Sequence, residues 1–139
     1  MRYLDVELME KMCHRLAVDI FDTAEDPIAP FHERTLPLLD SALQLPRATF
    51  DSQELYPTLD IKAAVLFYAL IRNHAFPNGN KRIAVAALLV FLYINDHWVH
   101  ADAQELYEQA IAIAASDRQH HEEDRACFRS WLAQHLVHA

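Results

Sequence analysis

The sequence predicts an all-α protein, and three observations carry that expectation. A single glycine, Gly79, stands in 139 residues, so the positive-φ positions on which turn-rich β folds depend are nearly absent. The chain is rich in Ala, Leu and Ile, and its 53% hydrophobic and 23% charged residues match ordinary globular usage. Apolar residues recur at helical spacing in successive blocks, with no internal repeat, low-complexity tract or hairpin signal between them. The expected architecture is one domain over residues 1–139, a compact bundle of about six helices around a buried central helix.

Each element follows from its own residues. From Asp5 to about Phe21, Val6, Leu8, Met9, Met12, Cys13, Leu16, Ala17 and Ile20 form an amphipathic stripe, with Asp5 placed to cap it. Asp22 to Pro30 holds acidic residues and two prolines and reads as a connecting loop. Helical spacing resumes with Leu36, Leu38, Leu39, Ala42, Leu43 and Leu45, and Pro46 is expected to end that helix. Arg47 to Leu59, polar with Phe50 and Tyr56 as punctuation, reads as a loop containing at most a helical turn.

Asp60 is expected to cap a third helix reaching His74, with Ile61, Ala64, Val65, Tyr68 and Ile71 on one face, broadened by Phe67 and Leu70. Asn80 to Asn95 is apolar nearly all round after Arg82, the pattern of a central helix. A short extended piece at Trp98 to His100 precedes Asp102 and Glu105, whose spacing caps a helix carrying Leu106, Tyr107, Ala110, Ile111, Ile113 and Ala114. The last helix is expected from Glu122 to Val137.

Charge and cysteine usage exclude several classes. A formal net charge of -8 argues against sequence-independent binding to nucleic acid, which needs a positive surface. Cys13 and Cys127 show neither CxxC spacing nor a disulfide framework, and two buried thiols in a reducing cytoplasm are expected. The N-terminus lacks the apolar run of a signal peptide, and Ile83 to Ile94 is too short to span a membrane. A cytoplasmic protein without membrane contact is the expectation. His120-His121-Glu122-Glu123 reads as a solvated loop, because adjacent residues do not share a helix face from which to ligate a metal. Glu33 and Arg34 are either neighbours of the site or a surface ion pair.

The chemistry concentrates in His74-Ala75-Phe76-Pro77-Asn78-Gly79-Asn80-Lys81-Arg82. Gly79 permits a tight turn or a close approach to a ligand. Two adjacent cations at a helix start oppose the helix dipole, unless an anion sits there to use them. A few phosphates need only such a local patch, to which Arg72 adds a third cation. Histidine is the side chain whose ordinary pKa lies nearest neutrality, so His74 is the candidate general base.

The motif resembles the signature of the Fic/Doc superfamily, His-x-Phe-x-x-Gly-Asn-Lys-Arg before an apolar helix. Fic-type AMP transferases usually have glycine where Lys81 stands, whereas Doc-type "death on curing" toxins have lysine. Arg72-Asn73, the Leu-Leu-x-Ser-Ala-Leu run from Leu38 to Leu43 and Asn95-x-His-Trp fit the same resemblance. It implies ATP and Mg²⁺, His74 as base, and Arg72, Gly79, Asn80, Lys81 and Arg82 as the nucleotide- and phosphate-binding group, with Phe76 structural. It also implies phosphoryl transfer to a hydroxyl on a host protein such as a translation elongation factor, with AMP transfer as the alternative. The partner implied is a Phd-type antitoxin that inserts a helical segment into a groove. No Fic-type inhibitory helix motif is evident.

One position departs from that signature. Asn78 stands where an acidic residue normally helps hold Mg²⁺, and an amide oxygen brings no charge to a hard cation. Weakened metal affinity is expected, and a catalytically weak partner-binding module remains the alternative reading.

Overall fold

Asp5 opens the first helix, its Oδ1 accepting the Leu8 N–H at 2.8 Å. The computed structural model describes residues 1–139, the side chain of Arg118 excepted. Helix α1 runs through Val6–Leu8, Met9–His14 and Arg15–Phe21, and its middle stretch is wound as a π-helix that the apolar spacing did not announce. Met9, Cys13 and Ala17 are its buried residues. The segment 22–30 is irregular, as expected, and ends in a short 3₁₀ turn, Phe31–Glu33.

Helix α2, Leu36–Gln44, does not stop at Pro46. It tightens into a 3₁₀ turn, Leu45–Arg47, in which proline occupies an opening position where no helical N–H is required. The next stretch corrects the expectation of a loop with at most a helical turn. Thr49–Phe50 (β1) and Gln53–Glu54 (β2) form a hairpin, turned by Asp51 and Ser52 at φ of 53° and 65°. The turn was hidden because it is made without glycine, by residues among which Asp tolerates the left-handed region.

Helix α3, Leu59–Arg72, has Thr58 rather than Asp60 at its N-cap position. Asp60 lies in the first turn, accepting from the Thr58 hydroxyl and, at 2.9 Å, from Arg129 Nε. Every residue from Lys62 to Ile71 is buried, and so is every residue from Arg82 to Leu92 of helix α4, Asn80–Ile94. The core is built around α4, as the sequence predicts, with α3 buried as fully beside it. Each run opens on a buried cation, Lys62 and Arg82; the Lys62 Nζ donates to the Pro46 carbonyl at 2.9 Å and to Glu54 Oε1 at 3.0 Å.

Asp102 caps helix α5, Ala103–Ala115, accepting the Glu105 N–H at 2.8 Å as the sequence predicts. Helix α6, His121–His135, ends earlier than expected. Leu136–His138 (β4) turns extended and pairs antiparallel with His97–Val99 (β3), Trp98 facing Val137. That pairing satisfies backbone groups along β3 that a continuing helix would leave open. Cys13 is buried but Cys127 is exposed, so one of the two expected core thiols lies at the surface. Among the described residues no helix is long and apolar enough to cross a membrane, and no three or more His, Cys, Asp or Glu residues cluster as a metal-binding group.

Candidate active site

The turn between the two central helices is fixed before any ligand arrives. Asn73 closes α3 and sends its amide to the Leu38 carbonyl at 3.0 Å, while the Ala75 carbonyl accepts the Thr35 N–H at 2.7 Å. Between these two ties His74 sits at φ 51°, exposed and at the cavity wall. A non-glycine residue in this region costs on the order of 1–3 kcal/mol and persists where its surroundings over-determine it. Phe76 is buried against Phe31 and His14, ring centroids 5.7 and 6.0 Å away, and anchors the loop to the core.

Asn80 closes the loop on itself. Its Oδ1 accepts the Phe76 N–H at 3.1 Å, and its Nδ2 donates to the Phe76 carbonyl at 2.8 Å. Gly79 takes the N-cap position of α4 at φ 80°, and no side chain caps that helix. The first helical bond runs from Ile83 N to the Gly79 carbonyl at 2.8 Å. The amides of Asn80, Lys81 and Arg82 thus precede the hydrogen-bond ladder and, with the dipole, make an anion-attracting end.

That helix end borders a cavity of about 270 Å³ whose wall includes His74, Asn78, Lys81 and Arg82, together with Tyr107 of α5. Lys81 is half-buried and, among the described residues, makes no ion pair. Arg82 is buried, and its guanidinium is held from the 22–30 segment, by the Asp26 carbonyl at 2.6 Å and by Asp26 Oδ1 at 3.2 Å. The same segment closes over the motif elsewhere. Ile28 packs on Gly79, where an added Cβ would come within 3.0 Å of its Cγ2, and the Ala29 N–H donates to Asn78 Oδ1 at 2.6 Å.

The structure thus brings His74, Asn78, Gly79, Asn80, Lys81 and Arg82 to one cavity. Arg72 is not among its lining residues. Its Nη1 donates to the Ser116 carbonyl at 2.8 Å and approaches the Ile113 carbonyl at 3.5 Å, closing the C-terminal end of α5, where a cation is electrostatically favoured. Arg34 lies over the Phe31 ring at 4.8 Å. Sequence reasoning missed Asp26, Ile28, Ala29 and Tyr107. Asp26 reaches Arg82 only through the fold, 56 residues away, so no local signal in the sequence marks it beyond the acidic pair Glu25-Asp26 before Pro27.

A long apolar helix pair joined by an anion-attracting turn with a histidine at its rim defines the class, and comparison with known proteins agrees. The Fic/DOC family model matches residues 3–92, and the chain belongs to that family. It is 49% identical over 65 residues to the curated protein "Toxin Doc" of Mycolicibacterium smegmatis, an alignment covering 47% of this chain and 50% of that one. The match therefore spans about half the length of the relative. None of the solved structures matches it.

Proposed function

We propose that the chain is a Doc-like toxin that transfers the terminal phosphoryl group of ATP to a hydroxyl on a host protein, held in check by a Phd-type antitoxin. The observation that supports this most is the meeting of His74, the paired cations Lys81 and Arg82 and the uncapped start of α4 in one cavity. Phosphoryl transfer needs positioning and charge stabilisation more than covalent help, and those parts supply both. The acceptor oxygen forms a bond to the γ-phosphorus as the bond to the bridging β,γ-oxygen breaks; ADP leaves, and the hydroxyl proton passes to a ring nitrogen of His74. General base catalysis of this kind contributes about 10²- to 10⁴-fold.

The α4 amides, the Lys81 ammonium and the Arg82 fork bind the phosphates, Lys81 as a mobile point charge and Arg82 as a rigid, planar donor. Arg82 exchanges its Asp26 contacts for phosphate oxygen as it does so. Asn78 and Asp26 are the oxygen donors at the cavity suited to Mg²⁺, which when bound neutralises charge on the phosphates. Lys81 in place of the second glycine favours phosphoryl over AMP transfer, by the resemblance already described.

The test incubates the protein with Mg²⁺, bacterial lysate and ATP labelled separately at the α- and γ-phosphate, with His74→Ala beside it. Label moving only from the γ position, and lost in the variant while its circular dichroism is unchanged, is the expected result. Label from the α position would mean AMP transfer. No transfer from either would leave a partner-binding module, with Asn78 retained for its bond to Ala29.

A further inference from the structure

We propose that His14 is a positioning residue of this site, acting through the backbone of Ala29; the functional part of the inference rests on the reading above. The Ala29 residue is held from both sides. Its N–H donates to Asn78 Oδ1 at 2.6 Å, and its carbonyl lies 2.7 Å from Nε2 of His14. A carbonyl only accepts, so Nε2 carries the proton. The chain of contacts runs from α1 through segment 22–31 into the motif, with Ile28 on Gly79 and Asp26 on Arg82 to either side of it.

The ring of His14 adds a second grip on the same parts. It meets Phe31 edge-on at 5.6 Å and sits tilted beside Phe76 at 6.0 Å, so one half-buried side chain neighbours the start of the 3₁₀ turn, the segment before it and the motif's own anchor. The π-helical stretch Met9–His14 ends on this residue. Single π turns inside helices are frequent at functional sites. Here the turn leaves Cys13 buried in the core and the next residue directed at Ala29. Without the His14 bond, Ala29 loses one of its two ties and the segment carrying Ile28 and Asp26 loosens over the phosphate-binding helix end.

The test separates the N–H donor from the ring. His14→Phe keeps an aromatic ring beside Phe31 and Phe76 and removes the donor; His14→Gln keeps an N–H and removes the ring. Amide exchange, followed residue by residue by NMR, reads the Ala29 N–H directly, with Val85 to Phe91 of α4 as the reference for global opening. The expected result is Ala29 exchange about five- to tenfold faster in His14→Phe, unchanged reference amides, and protection recovered in His14→Gln. Unchanged Ala29 exchange in His14→Phe, equal acceleration in Ala29 and α4, or failure of both variants to fold would each overturn the proposal, leaving His14 a packing residue.

Transfer kinetics then test the functional half. His14→Phe should lower kcat/KM by a similar factor and His14→Gln restore most of it. If the wild-type protein transfers no label, the proposed function fails while the exchange result still decides whether His14 positions the segment. If label moves normally in both variants, the functional role of His14 fails and the phosphoryl-transfer reading stands.

Discussion

Gly79 is the position where a single methyl group meets two obstacles. Its φ of 80° belongs to the left-handed region, which costs an L side chain about 1–2 kcal/mol, and the new Cβ would press on Ile28 Cγ2 at 3.0 Å. Gly79→Ala is therefore expected to lower stability by about 1–2 kcal/mol in a urea titration, or to expel Ile28. Asn78→Asp makes the opposite kind of change. A carboxylate still accepts from Ala29 N–H and adds a charge for Mg²⁺, so the Mg²⁺ concentration needed for half-maximal transfer should fall. An unchanged titration would remove Asn78 from any metal role. At this scale the sequence displays the residues whose chemistry is in their type and spacing: His74, Gly79 and the Lys81-Arg82 pair. It does not display Asn80 as a loop clasp or Arg72 as a helix-end tie, because both depend on carbonyls supplied by the folded backbone.

Between elements, α3 and α6 are clamped by Asp60. Burial alone would raise its carboxyl, but hydrogen bonds from Thr58 and Arg129, with the Arg129 charge, outweigh that and hold it below its ordinary 3.8. A carboxyl whose folded pKa is lowered lends stability above the unfolded value and loses it as pH falls through the folded one. The acid limb of a Tm-against-pH curve should therefore steepen below about pH 4, and Asp60→Asn should flatten it, at a cost of about 1 kcal/mol near neutrality. An unaltered acid limb would show that the clamp is open in solution. Helix bodies are legible from apolar spacing because burial enforces it. Their ends are less so: Thr58 takes the cap expected of Asp60, and α6 stops two residues before the expected Val137 in favour of pairing β4 with β3. Strand pairing is a contact between distant segments, and no local pattern announces it.

For the whole molecule, the two thiols report on different depths of one structure. Cys127 is exposed on α6, whereas Cys13 lies in the core on the π turn of α1, its thiol pushed up to about 12 by burial. The reactive species is the thiolate, so Cys13 is protected twice, by access and by charge. With a disulfide reagent such as DTNB, one thiol per chain should react rapidly in the native protein, and Cys127→Ser should abolish that phase. Cys13 should react only through opening, and if α1 opens only with the two central helices, its rate should climb with urea in parallel with exchange of the α4 amides. Met9 and Ala17 bury with Cys13 against the same core, which makes that coupling the expected outcome. Fast labelling of Cys13 while α4 remains protected would mean that α1 detaches as a unit. His14 would then leave Ala29 in the same motion, and the site would open at its N-terminal helix before the fold itself is lost.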